Sequence, residues 1–328
     1  MKRIVFPTLP SCTPLPFYLA AEEWVAMNLG AGEYFFAWQV EPTVICGRHQ
    51  YIPSEVNLGY ARDKGIKVVR RKSGGGSVYA DRSNVMFSYI TPSDGVQATF
   101  GKYTAMICRM LGSLGINAEA TGRNDIAVGG KKVAGNAFLK LPGRSIVHGT
   151  MLYDADFATM AQVLTPSRAK RMAKGVVSVP SRVTTLVNEG IGVTCAEFME
   201  KAMDYLCAEG EYVMQENDLN EVGDIMKTYF DPDFLKTDLE KLLAEPVYIE
   251  GVGEIAIGFV TDGENKISDI SLHGDFFHLQ NFQEHLAKAL KGLPFEREAV
   301  RKAIENLPLD EMVVGLDREK LNKLLPNS

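Results

Sequence analysis

Cysteine is scarce in this chain and badly spaced for either of its structural uses. The five cysteines (Cys12, Cys46, Cys108, Cys195, Cys207) are odd in number and contain no CxxC pair. That excludes a disulfide framework and a four-ligand zinc site, and it fits a reducing compartment. Long apolar runs are missing too: hydrophobic residues make up 46% of the chain, yet no stretch approaches the ~20 residues of a membrane span. Met1-Lys2-Arg3 imitates the start of a secretory signal, but Pro7, Pro10, Pro14 and Pro16 interrupt the apolar segment behind it. A cytoplasmic protein is therefore expected. Positive charge is in deficit, with 35 Lys and Arg against 41 Asp and Glu, so neither nucleic acid nor an anionic membrane is an expected partner. Any anion site must be local. Neither GxxxxGK[ST] nor GxGxxG occurs, and there is no internal repeat or low-complexity tract.

What is present is a run of three glycines. Residues 70–79 read Arg-Arg-Lys-Ser-Gly-Gly-Gly-Ser-Val-Tyr. Each glycine inside a regular element costs roughly 0.5–1 kcal/mol relative to alanine, so the run has another use. Gly74, Gly75 and Gly76 offer a backbone without Cβ atoms, on which a ligand can lie while N–H groups face an anion. Arg70, Arg71 and Lys72 beside it favour a negatively charged guest.

Patterning predicts mixed α and β structure. Apolar residues at helical spacing mark 17–29 and 100–114, and a further helix is expected over 53–64, ended by Gly65. Strands are expected over 33–40, 43–46, 66–70, 85–90 and 146–153. Asp125–Val128, Gly129-Gly130 and Lys131–Ala134 form the sharpest hairpin signal, the two glycines supplying the positive φ of a primed turn. Strands joined by hairpins as often as by helices indicate an α+β fold with a mixed sheet rather than a doubly wound one. From about residue 246 the pattern becomes strand-rich to 277, then shows three short helices. The expected division is 1–245 and 246–328, the second part a small α+β domain.

Three further segments carry chemistry. Gly122-Arg123-Asn124-Asp125 and Lys131-Lys132-Val133-Ala134-Gly135-Asn136 flank the hairpin turn, bringing Lys132 back toward Asn124 and Asp125. Asp125 suits Mg²⁺ shared with substrate phosphates, and a lysine ammonium suits a phosphate or a carboxylate under attack. Val147-His148-Gly149-Thr150 opens a strand. The basic stretch 167–182, with Arg168, Lys170, Arg171, Lys174 and Arg182, reads as a loop able to fold over an anion.

Taken in order, Arg-Arg-x-Ser-Gly-Gly-Gly-x-Val (70–78), Gly-Arg-Asn-Asp (122–125), Lys-Val-x-Gly (132–135), His-Gly-Thr (148–150) and Lys-Gly-x-x-Ser-x-x-Ser-Arg-Val (174–183), with Gly47-Arg48-His49-Gln50 upstream, resemble the lipoate–protein ligase A family. The segment Ser271 to Phe277 resembles that family's accessory domain. The resemblance implies a mixed-sheet catalytic domain of the biotin/lipoate ligase type followed by the accessory domain. It implies a two-step reaction: lipoate and ATP with Mg²⁺ give lipoyl-AMP and pyrophosphate, and the acyl group then passes to a lysine of a lipoyl carrier domain. Acyltransferase (E2) subunits of 2-oxo-acid dehydrogenases and the glycine-cleavage H protein are the implied partners, and a monomer is expected.

By the same resemblance Lys132 lies between the lipoate carboxylate and the α-phosphate. Arg71, Ser73, Gly74, Gly75, Gly76, Ser77, Val78 and Tyr79 hold ATP or the adenylate, with His148 and Gly149. Asn124 and Asp125 hold phosphate and Mg²⁺. Trp38 and Val44, over the floor made by Gly75 and near Arg71 and Lys132, are the expected slot for the acyl tail. Lys174, Ser178 and Arg182 belong to a loop closing over the adenylate. Two departures stand out: Tyr229-Phe230-Asp231-Pro232-Asp233 replaces a Trp-rich stretch before the accessory domain, and Ala134 stands where serine is frequent. The Gly-Arg-Gly-Arg-x-Gly-Arg loop of biotin ligases is absent. The main alternative is a transferase working from preformed lipoyl-AMP or an acyl carrier. A thiolate version of it needs a cysteine after a glycine-rich or His-Gly segment, which this chain lacks.

Overall fold

The computed structural model describes residues 1–7, 9–10, 12–122, 124–165, 182–235 and 244–325. Among these described residues are fourteen strands: β1 (Lys2–Val5), β2 (Tyr34–Trp38), β3 (Thr43–Cys46), β4 (Lys67–Arg70), β5 (Val78–Ala80), β6 (Val85–Pro92), β7 (Ala118–Thr121), β8 (Asp125–Val128), β9 (Lys131–Leu141), β10 (Arg144–Met151), β11 (Glu211–Val213), β12 (Val247–Ile249), β13 (Gly253–Thr261) and β14 (Ile267–Gly274). Eight of them form one sheet in the order β11-β1-β2-β6-β10-β9-β8-β7. β1 runs parallel to both β2 and β11, while β2, β6, β10, β9, β8 and β7 pair antiparallel. The mixed sheet expected from the sequence is what forms.

This sheet is buried on both faces, because successive side chains along a strand point to opposite sides. Phe35, Phe87, Phe138 and Val147 face the helices Val96–Ser113 and Cys195–Leu206. Phe36, Met86, Leu139 and Ile146 face the helix Leu15–Asn28. That helix also buries Glu22 and Glu23, two carboxylates on a segment otherwise apolar. A second sheet, β4-β3-β5, carries the triglycine segment between β4 and β5. The C-terminal domain is an antiparallel meander, β12-β13-β14, covered by Phe282–Leu290, Arg297–Ile304 and shorter helices around its own core.

Boundaries differ from the sequence expectation where local chemistry intervenes. The helix expected over 53–64 splits into Ile52–Glu55 and Leu58–Asp63, because Val56 pairs with Leu164 and the Asn57 side chain caps the second helix at the Tyr60 N–H. The helix expected from 100 begins at Val96, after Gly95 at φ 75°. β9 runs on to Leu141 and turns through Gly143 into β10, so the hairpin there is longer than the glycine turn indicates. β1, β5, β7 and β11 have only three or four residues each. They are too short to register as periodic patterns.

Candidate active site

The triglycine loop is built from its carbonyls outward. Arg71 is buried (5% exposed) and gives every side-chain nitrogen to its own chain. Its Nη2 donates to the carbonyls of Gly74 (2.7 Å) and Gly76 (2.9 Å), Nη1 to Ile45 (3.1 Å), and Nε to Ser73 Oγ (2.9 Å). Burial lowers its pKa to about 10, which still leaves it charged at neutral pH. Arg70 donates to the carbonyls of Gly47, Arg48 and Gln50. Lys72 pairs with Glu23 at 2.8 Å and lies over the Tyr229 ring. All three cations that made an anion guest attractive therefore bond the fold itself, and of the three Arg71 alone also lines the cavity.

Gly47-Arg48-His49-Gln50 supports the same loop. A Cβ at Gly47 would lie 1.9 Å from the Gly75 carbonyl. Gln50 Oε1 accepts from the Gly47 N–H (2.8 Å) and from Ser77 Oγ (2.9 Å).

Across the cavity stands the β8–β9 hairpin. Gly129 and Gly130 take φ 55° and 77°, the paired positive values of a primed turn, and Lys132 returns to Asp125 at Nζ–Oδ1 2.8 Å. Lys132 folds over Gly135, where a Cβ would lie 2.5 Å from its Nζ. Asn124 and Asn136 clasp one another, each side-chain amide donating to the other's carbonyl. Val183 pairs with Lys132, and the Thr184 N–H donates to the Lys132 carbonyl at 2.9 Å. Half-buried Arg182 is thereby held beside the same strand. Lys174 and Ser178 lie outside the described residues.

A cavity of about 240 Å³ lies between these parts. Among the residues expected from the sequence it is lined by Trp38, Arg71, Gly75, Gly76, Ser77, Val78, Asn124, Asp125, Lys132, His148 and Gly149. Four expected residues lie elsewhere. Val44 and Tyr79 point to the opposite face of the small sheet, into a separate cluster with Cys46 and Val163, because β3 and β5 alternate. Ile45 takes the place foreseen for Val44. Ser73 is fully buried behind Arg71. Gly74 packs against the carbonyl of Phe276 rather than facing the cavity.

The cavity also takes residues without a clear sequence signal. Leu19, Ile45 and Met86 join Trp38 as its apolar lining, and Asp275 and Phe277 of the C-terminal domain also contribute to the wall. The Phe277 ring would meet a Cβ at Gly75 at 2.9 Å, and His49 stacks on Phe276 at 4.6 Å. The Ser271–Phe277 motif hinted at this segment without saying that it touches the triglycine loop. Asn124, Asp125 and Asp275 also line a larger cleft of about 800 Å³ between the two domains.

Two cations, Arg71 and Lys132, line one pocket together with the apolar side chains of Leu19, Trp38, Ile45 and Met86. That is the layout for a carboxylate on a hydrocarbon chain meeting a phosphate. Residues 14–207 match the family model described as lipoyl protein ligase A/B catalytic domain, and 248–325 match that of the bacterial lipoate protein ligase C-terminus. The chain belongs to the lipoate–protein ligase family. Lipoate–protein ligase 1 of Staphylococcus aureus is 33% identical over 320 residues, covering 94% of this chain and 95% of that protein. Three solved structures share the fold. Plasmodium falciparum LipL1 in complex with lipoate has TM-score 0.75 at 20% identity, covering 98% of this chain and 97% of that one. A lipoate–protein ligase A bound with ATP has TM-score 0.58 at 23% identity, covering 72% and 97%. The bipartite Thermoplasma acidophilum ligase, described with its E2 lipoyl domain, has TM-score 0.62 at 23% identity, covering 71% and 94%.

Proposed function

We propose that this chain activates lipoate with ATP and transfers the lipoyl group to a lysine of a lipoyl carrier domain. The reading is carried by one observation: Lys132, Arg71 and the Gly76–Val78 backbone line the same cavity as the apolar set Leu19, Trp38, Ile45 and Met86. A chain lying on the apolar residues delivers its carboxylate to the two cations. There its oxygen attacks the α-phosphorus of ATP, a P–O bond forms, and the bond to the departing pyrophosphate breaks. Both reactants are anionic, so Lys132 works by neutralising the charge that builds between them. In the second step the acceptor amine attacks the acyl carbon, the C–O bond to phosphate breaks and AMP leaves, the amine proton passing to solvent. Lys132 again stands beside the oxygen on which charge develops.

A cavity of about 240 Å³ is below the ~300–1,000 Å³ usual for a whole small molecule. It suits the acyl end, with the nucleotide extending past Asn124 and Asp125. Among the described residues no group of three His, Cys, Asp or Glu is placed to hold a metal. We assign Mg²⁺ to Asp125, together with phosphate oxygens and water, which is the usual economy of this ion. Bound there, Mg²⁺ would neutralise phosphate charge. E2 subunits and the glycine-cleavage H protein are the proposed acceptors, and the cytoplasm the proposed compartment; among the described residues no helix is long and apolar enough to cross a membrane. We assign 1–245 to catalysis and 246–328 to the accessory domain.

The test is incubation with ATP, Mg²⁺, lipoate and an apo lipoyl domain. Intact-mass analysis is expected to show one lipoyl group added at a single lysine, with none added when ATP is omitted. Equal addition without ATP would overturn the activation step.

A further inference from the structure

Glu22 carries no signal in the sequence, yet it is 1% exposed and anchors a continuous chain of hydrogen bonds that ends at the triglycine loop. His148 Nδ1 lies 2.7 Å from Glu22 Oε2, and His148 Nε2 lies 2.7 Å from Ser73 Oγ. Arg71 Nε donates to the same Ser73 Oγ, and its Nη2 donates to the Gly74 and Gly76 carbonyls. On the far side, Trp38 Nε1 donates to Ser88 Oγ, which donates to Glu22 Oε1.

One proton arrangement satisfies the chain: Ser73 Oγ accepts from Arg71 and donates to His148 Nε2, and His148 Nδ1–H donates to Glu22 Oε2. The Glu22 side chain at one end is thereby joined through hydrogen bonds to the Arg71 guanidinium at the other. Ser–His–Glu in this order has the form of a hydrolytic triad, but Ser73 is 0% exposed and does not line the cavity, so it cannot reach a substrate.

We propose that Glu22 is a positioning residue for the nucleotide-binding backbone, acting through His148, Ser73 and Arg71. This inference rests on the ligase reading for the identity of the nucleotide. The mechanism is geometric. In a planar trans peptide the C=O and the following N–H point in opposite directions. Locking the Gly76 carbonyl onto Arg71 therefore aims the Ser77 N–H away from the guanidinium. Ser77 lines the cavity and stands next in the loop. Glu22 itself does not line the cavity, so its effect on a bound anion must pass through this chain.

The experiment uses the full-length protein and the variants Glu22→Ala, Glu22→Gln, Ser73→Ala and Glu22→Ala/Ser73→Ala. Amide hydrogen exchange over residues 71–78, read by mass spectrometry, is expected to speed up about tenfold or more in Glu22→Ala, while β9 and β10 keep wild-type rates. ATP affinity is expected to fall about tenfold and lipoate KM to change by less, since Trp38 reaches Glu22 only through Ser88. Glu22→Gln keeps an acceptor for His148 Nδ1–H and is expected to restore most of both. The double variant is expected to lose no more than the larger single loss, because the residues act in series. Unchanged exchange over 71–78, or equal loss of ATP and lipoate affinity, or additive losses, would overturn the proposal. Should Glu22→Ala fail to fold, Ser73→Ala, which deletes one hydroxyl, gives the same readouts. If the wild type shows no lipoate-dependent turnover the ligase reading fails, while hydrogen exchange still decides the positioning role.

Discussion

The carbonyl oxygen of Phe276 sits where a side chain at Gly74 would begin: a Cβ on Gly74 would lie 2.2 Å from it and 3.0 Å from the Phe277 Cα. The Gly75 N–H donates to the same carbonyl at 3.3 Å, and the Gly274 N–H donates to the His49 carbonyl at 3.0 Å. The bare backbone that the sequence offers to a ligand is thus divided. Gly74 and one side of Gly75 seat the C-terminal domain, and Gly76 onward faces the cavity.

Gly74→Ala is accordingly expected to unseat the Gly274–Phe277 segment, since both the added Cβ and its obstacle are attached to backbone. Lipoate activation should fall about 10²-fold or more, as for a misplaced catalytic wall. Limited proteolysis of the interdomain segment should accelerate, with the thermal transition of the eight-stranded sheet retained. Activation and proteolysis both at wild-type levels would show that the seat is not needed.

Gly135→Ala makes a complementary test of Lys132. Its Cβ would meet Lys132 Nζ at 2.5 Å and Cε at 2.7 Å, the flexible end of a side chain that is easily pushed aside. Stability should change little, while activation should fall toward that of Lys132→Ala, a loss of about 10²–10³-fold for one electrostatic donor. Calorimetry and single-turnover kinetics on both variants check the pair. A Gly135→Ala protein with full activity would place the working position of Lys132 elsewhere.

The domain junction should be acid-sensitive. His49 Nε2 and His278 Nδ1 lie 3.0 Å apart across it, one ring donating to the other. Burial, with Arg48 nearby, pushes His278 down to about 4; burial, then His278, Arg48 and Arg70, hold His49 well below its ordinary value. Once the domains separate or the chain unfolds, each returns to about 6.5. Above that pH neither state binds the proton. Between about 6.5 and about 4 the open state binds it and the closed state does not, so docking weakens as pH falls through that window. Denaturant titrations at pH 7.5 and 5 should show the loss, and His278→Gln should reduce it. An identical pH slope in the variant would contradict the assignment.

The cysteines should be dispensable. Burial raises the thiols of Cys46, Cys108 and Cys195 and pushes Cys207 up to about 12, the wrong direction for a nucleophile. None of the five lines the cavity. A variant with all five replaced should retain ATP-dependent transfer within a few-fold of wild type. Abolition without loss of folding would revive the thiolate route.

The two glycine-marked loops were legible because glycine placement constrains the backbone where it stands. Gly129-Gly130 announced the hairpin that returns Lys132 to Asp125, and the triglycine run announced a crowded backbone. The crowding partner was not legible: Phe276 lies about 200 residues downstream, and nothing local to Gly74 names it. Val44 was misplaced relative to Ile45 because a four-residue buried strand is apolar on both faces, which leaves its register open. Glu22 and Glu23 were hidden for a related reason. Charged residues on a helix normally face water, and only the tertiary partners His148, Ser88, Lys72 and Tyr229 make their burial tolerable.

The most direct measurement is ATP–pyrophosphate exchange with the purified wild-type protein and Lys132→Gln, in Mg²⁺, with and without lipoate. Label should pass from pyrophosphate into ATP only when lipoate is present, and Lys132→Gln should lose nearly all of it while its melting temperature holds. No exchange in the wild type under these conditions, with preformed lipoyl-AMP still consumed in acyl transfer, would contradict the claim that this cavity makes the mixed anhydride.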